Sequence, residues 1–423
     1  MLLAFNLLNF FIILWATYAF LKKEIKLFVL YGLLIFQAIS VIPSLIYIET
    51  GKYISEQGRM GYFVGATFFY CIFYLVSLLF IYATSNSLKP IKLRVVKFEV
   101  RNNNIENHIL FIIVISVLSI LLFNVYQSAS PLFDKNVTRF TYWGQSKYPL
   151  LQKIFGNTAM FIPFVLGILN KKYKKSSIVL LLVYFGYNVL IGQKFSPIIT
   201  GSFSFFLPII LMSTKKLKVS QIFKLKYIII FLLAAISMYK IIYDRYDRRK
   251  PYAVIKIYDP NEAMLYRVFG LQGHLFWGAT ERFVLGDGDK SWNPLDLNYG
   301  MHKMMKEFAT GNKESLEKHM KKGFNFSNAY PSVLFMIFPF YIAYVFHAFV
   351  IIFVLTLSGW ILTKLLEHGS LVLSVVSYQF FIWTIYALTM GYFYKLKYGI
   401  IFNLLILFVS YVIEKRKLNK KNI

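Results

Sequence analysis

The stretch "HILFIIVISVLSILLFNV", residues 108–125, is an apolar run of 18 residues without an acidic or basic side chain other than one histidine. A helix needs about 20 mostly apolar residues to cross the hydrocarbon core of a bilayer. Inside lipid every backbone N–H and C=O must be hydrogen-bonded within the protein, so a span is either a helix or a strand of a closed barrel. Because this run is continuously apolar instead of alternating, it predicts a membrane-spanning helix.

Similar runs recur along the 423-residue chain, in which 57% of the residues are hydrophobic and 19% are aromatic. The sequence therefore predicts an all-α polytopic integral membrane protein with about 11 transmembrane helices. Pro339 is expected to split the apolar region after Tyr330 into an interfacial piece and a true span. The predicted spans are roughly 2–21, 27–48, 62–84, 108–125, 150–169, 178–192, 197–213, 227–243, 341–363, 369–390 and 399–413.

The formal net charge of the chain is +28. Nucleic-acid binders can carry such a charge, but here the lysines are concentrated in short segments between apolar runs, as the positive-inside rule expects. With the N-terminus outside, the inner segments carry 23 basic residues and the short outer segments carry 9. The sequence therefore predicts an N-terminus outside, a C-terminus inside and no nucleic-acid partner.

The same topology places residues 244–330 outside the membrane as one large loop. This segment of 87 residues carries 11 of the 19 acidic residues, so it has the composition of a small folded unit with short helices. The predicted organisation follows, with boundaries good to about 2–4 residues. It comprises an N-terminal transmembrane bundle (1–243), the outer loop (244–330), C-terminal spans (331–413) with the interfacial piece near 331–340, and a basic tail (414–423).

The outer loop contains the stretch "YRVFGLQGHLFWGATERF", residues 266–283. On a helix, Arg267, His274 and Gly278 would lie on one face. Each glycine in such a helix costs about 1 kcal/mol relative to alanine, which is easier to explain if a ligand or another helix approaches closely. The alternative is a surface helix with a snorkelling arginine and a solvated histidine.

Other cations are expected on the same side of the membrane. Lys194, in "IGQKFSP", either holds a phosphate at the mouth of a membrane cavity or contacts lipid phosphates. Arg139, in "VTRFTYWGQ", is a third outer cation beside aromatic residues, and a structural ion pair is the more common role of such an arginine. In "YDRYDRRK" an i, i+4 pair between an aspartate and an arginine leaves Arg245 and Arg249 freer to contact a substrate. The segment also fits a helix end that is anchored at the membrane interface.

No metal site is expected. The stretch "GDGDKSWNPLD", residues 286–296, lacks the glycine and the terminal glutamate of an EF-hand loop and is typical of a Gly/Asp-rich turn. No set of Cys and His residues has zinc spacing. None of the predicted spans carries a buried carboxylate, which weighs against a proton- or sodium-coupled transporter.

With many helices, one large outer loop late in the chain and these cations, the sequence resembles the Wzy-type (O-antigen) polymerases of bacterial oligosaccharide repeat units. Arg267 and Gly278, with ten residues between them, match the Arg-x10-Gly motif of that loop. Lys194 in "GQKF" is similar to the basic residue that relatives, including O-antigen ligases, place at an outer span boundary. Arg139 is the natural candidate for the family's second such motif, but Leu150 stands where its glycine would be.

The resemblance implies a GT-C-like membrane glycosyltransferase, without a metal or cofactor, in the bacterial inner membrane. It would transfer the growing glycan from undecaprenyl diphosphate onto the next lipid-linked unit, at the periplasmic face. Fixed cations would stabilise charge on the leaving phosphate, and the acceptor hydroxyl needs a base. The expected catalytic residues are Arg267, His274 (first choice as base), Glu262 and Glu281; the expected substrate contacts are Lys194, Arg139, Arg245, Arg249, Gly278, Tyr266 and Trp277.

The implied partners are the undecaprenyl-diphosphate-linked oligosaccharide and the bilayer, with a chain-length regulator as a further candidate. Two alternatives stay open. An O-antigen ligase performs the same chemistry on a different acceptor. A lipid-oligosaccharide flippase belongs to another class, and the 87-residue outer loop counts against it because a flippase should have short loops on both sides.

Overall fold

A computed structural model describes residues 1–51, 64–94, 103–134, 136–137, 139, 141–193, 196–213, 243, 272–286, 293, 295, 297 and 328–419. The first part contains α1 (Leu2–Lys23), α2 (Ile25–Leu30), α3 (Gly32–Glu49), α4 (Ala66–Leu88), α5 (Asn103–Tyr126), α6 (Tyr142–Gln145), α7 (Pro149–Ala159), α8 (Ile162–Leu169), α9 (Lys174–Leu190) and α10 (Ser196–Leu211). The second part contains α11 (His274–Ala279) with a π-helical turn (Thr280–Leu285), α12 (Ser332–Ile337), α13 (Phe340–Phe349), a π-helical stretch (Val350–Thr356), α14 (Leu357–His368), α15 (Leu371–Met390), a 3-10 turn (Phe393–Lys395) and α16 (Leu396–Asn419).

Seven helices among the described residues are long and apolar enough to cross a membrane: α1, α3, α4, α5, the continuous helix from α13 to α14, α15 and α16. The pair α7 and α8 would add an eighth span, bent by 49°. The bend falls just before Pro163, near the first turn of α8, where proline is tolerated. α10 is a shorter apolar helix. The predicted span 227–243 lies outside the described residues except for Tyr243.

Polar contacts identify the two ends of the helix bundle. At one end Asn6, near the start of α1, donates to Glu49 at the end of α3. At the other end Lys89, after α4, pairs with Glu24 at 2.6 Å. We call these ends the Glu49 face and the Glu24 face. Successive long helices alternate between the two faces, as the sequence predicts from its charged loops.

Later contacts place the remaining helix ends on these faces. Lys26, beside Glu24, donates to the carbonyl of Leu211 at 3.1 Å, so α10 ends at the Glu24 face and begins at the Glu49 face. Arg94, which follows α4, lies 3.5 Å from Glu414, so the C-terminal part of α16 is at the Glu24 face. Residues of three basic segments that the charge rule assigns to one side, 22–26, 85–107 and the C-terminal tail, are therefore at one face.

The apolar region after Tyr330 is broken near Pro339. α12 ends at Ile337, and α13 begins at Phe340 with Pro339 as its N-cap. The sequence suggests an interfacial piece before the break, but all six residues of α12 are buried inside the protein. α12 is therefore an interior element that packs against α11 and α13.

A buried carboxylate, Glu49, lies at the Glu49 face. The sequence analysis expects no buried carboxylate in the spans, but the observed span Gly32–Glu49 includes this one. Glu49 is 2% exposed and accepts hydrogen bonds from Asn6 (2.5 Å), from the hydroxyl of Thr67 (2.8 Å), and from the backbone N–H groups of Gly65 (2.8 Å) and Thr67 (3.1 Å). The predicted span 27–48 stops one residue short of it. Because these N–H groups begin α4, Glu49 caps that helix from another element.

Candidate functional site

The segment 272–286 lies at the Glu49 face and is inserted between other helices. Gln272 and Gly273 form a turn, and α11 begins at His274. The backbone N–H of Gly273 donates to the hydroxyl of Ser44 on α3 at 2.8 Å. A Cβ at Gly273 would lie 2.8 Å from Cγ of Leu45, so glycine is required here because α3 approaches closely. A neighbouring helix, not a ligand, therefore accounts for this glycine.

Aromatic packing holds α11 in place. The ring of Phe276 meets Tyr70 on α4 edge-to-face at 4.9 Å and Phe335 on α12 at 5.7 Å. Trp277 is 2% exposed, and Gly278 is buried as well. The family resemblance implies that Trp277 stacks on a sugar, but in this arrangement its ring is part of the protein interior. α11 is therefore a packing element.

His274, the first choice for the base from the sequence, is fully buried. Its ring centroid lies 6.0 Å from that of Trp277, at the start of α11. A base must reach the acceptor hydroxyl within hydrogen-bond distance. In this structure the protein surrounds the imidazole on all sides, so it does not face an open substrate site.

Glu281 lies about two turns further along, on the π-helical turn, and is only half-buried. One of its carboxylate oxygens, Oε2, is buried and has no hydrogen-bond partner among the described residues. Burial raises the pKa of this carboxyl above its ordinary value of 4.5. Arg282 beside it is exposed, with its guanidinium 5.5 Å from the ring centroid of Phe283. π-helical turns are frequent at functional sites, and a carboxyl with a raised pKa on such a turn is a candidate functional residue.

The turn that precedes Lys194 packs against the segment that carries Arg139. Gly192 has a φ of +73°, a left-handed conformation that glycine adopts readily. A Cβ at Gly192 would lie 2.9 Å from Cβ of Pro131 and 3.6 Å from Cβ of Arg139. Ser130 also donates to the carbonyl of Leu190 at 2.6 Å. The structure thus brings two segments together that the sequence singled out separately.

An open cleft of about 850 Å³ lies beside this contact, between the ends of α5 and α9. Two aromatic rings at its edge are strongly exposed: Tyr126 is 84% and Phe133 is 78% exposed. Asp134 and Asn136 add oxygen and amide groups to the lining. Exposed rings beside carboxylate and amide groups suit the apolar faces and hydroxyl groups of a sugar.

A buried histidine that the sequence analysis did not single out lies deeper in the bundle. The hydroxyl of Ser77 donates to the carbonyl of Phe73 at 2.7 Å, so it accepts from Nε2 of His347 at 2.7 Å. Nδ1 of His347 then accepts from the hydroxyl of Tyr330 at 2.5 Å. The hydrogen bonds therefore favour the Nε2–H tautomer and join α4, α13 and the segment before α12.

The cavity beside His347 has a volume of about 40 Å³. Gln37, Asn328 and Thr389 contribute further polar groups to its wall. A space of this size fits a water molecule but not a sugar ring. The His347 cluster is therefore an internal polar contact between helices. The members of this cluster are distant from one another in the chain, so a single sequence does not reveal it.

Six of the predicted site residues lie outside the described residues, and the structure says nothing about them. They are Lys194, Arg245, Arg249, Glu262, Tyr266 and Arg267. Among the residues that are described, no three His, Cys, Asp or Glu side chains are grouped so that they could hold a metal ion.

A family model described as a family of unknown function (DUF6418) matches residues 294–409. This part begins after the segment 272–286 and contains Tyr330 and His347. No curated protein and no solved structure matches the chain. The described residues define a multi-pass membrane protein that is all-helical in this part of the chain, with its candidate site at the Glu49 face.

Proposed function

We propose that the protein polymerises undecaprenyl-diphosphate-linked oligosaccharide repeat units at the periplasmic face of the bacterial inner membrane. The observation that carries this proposal is the contact between the Arg139 segment and the turn before Lys194, beside the open cleft. The basic residue Arg139 in this segment, together with the exposed aromatic rings and the amide group that line the cleft, suits a substrate that joins a diphosphate to sugars. The Glu49 face is then the periplasmic face, and the fold is a GT-C-like glycosyltransferase.

In this proposal the acceptor hydroxyl of the next lipid-linked unit attacks the anomeric carbon of the growing glycan. The bond from that carbon to the diphosphate oxygen breaks, and its electron pair leaves with undecaprenyl diphosphate. Arg139 and Lys194 stabilise the charge that develops on this leaving group. Arg267 has the same role through its position in the Arg-x10-Gly motif that the family resemblance supplies.

Glu281, and not His274, is the base that accepts the proton of the acceptor hydroxyl in this proposal. Both residues are at the Glu49 face, but His274 is enclosed by protein, whereas Glu281 is partly accessible and has a raised pKa. A base works best with a pKa near the operating pH, so a raised carboxyl pKa favours this role. A base acts in its deprotonated form. The rate should therefore fall as the pH drops through the pKa of Glu281.

The test compares variants in a strain from which the gene has been deleted. We expect Glu281→Gln to lower polymerisation by about a hundredfold or more, because general-base catalysis is typically worth 10²–10⁴. Surface polysaccharide on a gel should then show single repeat units, while the protein level in the membrane stays normal. Arg282→Gln is the matched control, since Arg282 is the exposed neighbour on the same turn, and it should retain polymer.

Three outcomes would contradict parts of the proposal. Full-length polymer in the Glu281→Gln variant would show that Glu281 is not the base. Polymer that forms but is not attached to its final acceptor in the deletion strain would indicate a ligase. Lipid-linked units that accumulate on the cytoplasmic side would indicate a flippase.

A further inference from the structure

A second cavity opens at the Glu24 face, opposite the proposed catalytic site. Its volume is about 530 Å³, and it lies between the ends of α1, α4 and α10, the start of α2 and the end of α14. Its apolar wall includes Leu27, Leu30 and Leu211. The proposed reaction takes place at the other face, so it leaves this cavity without a role.

The lining of this cavity is strongly basic. It contains five lysines and two glutamates, a net charge of +3. The glutamates are engaged: Glu24 is 2.6 Å from Lys89, and Glu367 is 3.1 Å from Lys364. Of the other three lysines, Lys26 donates to the carbonyl of Leu211, Lys23 lies over the ring of Tyr82, and Lys22 is exposed at the rim. An excess of positive charge around a cavity favours an anionic ligand.

A buried donor distinguishes this cavity from an ordinary basic membrane edge. Trp360 lines the cavity and is 8% exposed, and its Nε1–H is buried without a hydrogen-bond partner among the described residues. An indole N–H can only donate, and buried tryptophans usually find an acceptor. Tyr31 and Ser85 line the same cavity. The positive-inside rule explains the lysines but not a buried N–H beside them.

We propose that this cavity binds a phosphate group whose oxygens accept from Nε1 of Trp360 and from the lysines. Charge-assisted hydrogen bonds to phosphate are among the stronger ones in proteins. The phosphate belongs either to the headgroup of an anionic lipid, whose glycerol part would meet the leucine wall, or to a small soluble phosphate compound. The site does not depend on the proposed polymerase activity.

The experiment uses the full-length protein in detergent and measures binding by native mass spectrometry and by thermal stabilisation. The probes are short-chain phosphatidylglycerol and inorganic pyrophosphate, with an uncharged alkyl glucoside for comparison. We expect saturable binding of a phosphate probe and none of the glucoside. Preference for phosphatidylglycerol identifies a lipid site, and preference for pyrophosphate identifies a soluble ligand.

Variants connect the binding to this cavity. Trp360→Phe removes the N–H but keeps an aromatic ring, and Lys22→Gln removes a charge at the rim. Each should weaken binding of the preferred probe about tenfold, the effect of losing one hydrogen bond to a charged group. Lys415→Gln is the control, an exposed lysine that is outside the cavity, and it should change binding less than about twofold. Equal affinity in all three variants, or no saturable binding by the wild type, would overturn the proposal.

Discussion

Glu49 shows how a single residue can be misjudged from hydropathy. A carboxylate at the end of an apolar run is expected in water, but this one is 2% exposed. Its burial is tolerated because donors from Asn6, Gly65 and Thr67 surround it. A buried charge is costly unless it is hydrogen-bonded, and here the donors include the start of a helix, whose dipole favours a negative charge.

We predict that Glu49→Gln destabilises the protein by about 2 kcal/mol, because hydrogen bonds to a charged group are worth roughly 1.5–3 kcal/mol. The amide would also place its own N–H₂ against other donors. Unfolding in mixed detergent micelles measures the change. Glu367→Gln is the control, since Glu367 forms an exposed i, i+3 pair with Lys364 that should be worth less than about 0.5 kcal/mol. Similar losses in both variants would contradict the capping role.

His347 is a second residue whose environment the sequence does not reveal. Nothing in "FYIAYVFHAF" indicates whether its histidine faces lipid or protein. The structure decides, because Ser77 and Tyr330 approach its two ring nitrogens from different elements. Polar side chains within apolar helices are expected to be paired inside the protein, but their partners can be identified only from the fold.

At the scale of elements, α11 is where sequence and structure differ most. Helical periodicity places Arg267, His274 and Gly278 on one face, but the described helix begins only at His274, after the turn at Gly273. The segment then packs against α3, α4 and α12 instead of lying in an exposed loop. Its apolar residues, Leu275, Phe276 and Trp277, give the physical reason, because burying them is strongly favourable.

We predict that Gly273→Ala destabilises the protein by about 1–3 kcal/mol, the usual cost of overpacking a closely packed contact. The added methyl group would press on Leu45 of α3, including its backbone nitrogen at 3.0 Å, which cannot move aside as a side chain can. Thermal unfolding in detergent tests this.

Gly186→Ala provides the matched control. Gly186 is exposed within α9, and nothing lies within 4 Å of the position that a Cβ would take. Alanine should be neutral or stabilising by about 0.5–1 kcal/mol there, because glycine is a poor helix former. A destabilisation equal to that of Gly273→Ala would mean that the close contact with α3 is unimportant.

At the scale of the whole molecule, the alternation of helices determines which segments share a face. The Arg139 segment, the turn before Lys194 and the segment 272–286 are together at the Glu49 face, whereas the basic segments beside Glu24 and Glu414 are at the other. Lysines and arginines are retained on the cytoplasmic side of membranes. We therefore predict that the Glu49 face is the non-cytoplasmic face, which is the periplasmic face in the proposed function.

We predict that Phe133→Cys reacts with a membrane-impermeant maleimide in intact spheroplasts, because Phe133 is 78% exposed at the Glu49 face. Lys415→Cys, at the Glu24 face, should react only after the membrane is permeabilised. The native Cys71 is buried within α4, so the unmodified protein is the control and should stay unlabelled. The reverse labelling pattern would show that the topology is inverted and that the proposed site faces the cytoplasm.

The amino-acid sequence by itself determined the class of the fold, the approximate positions of most spans and the basic segments that share one side of the bundle. These follow from local properties, since the length of an apolar run and the charge of its flanks are sufficient to specify a membrane helix. Only the tertiary structure decided that Glu49 caps α4, that His274 is buried while Glu281 is accessible, and that Arg139 lies beside Gly192. Each of these depends on contacts between elements distant in the chain, because burial and hydrogen bonding are properties of neighbours in space and not of neighbours in sequence.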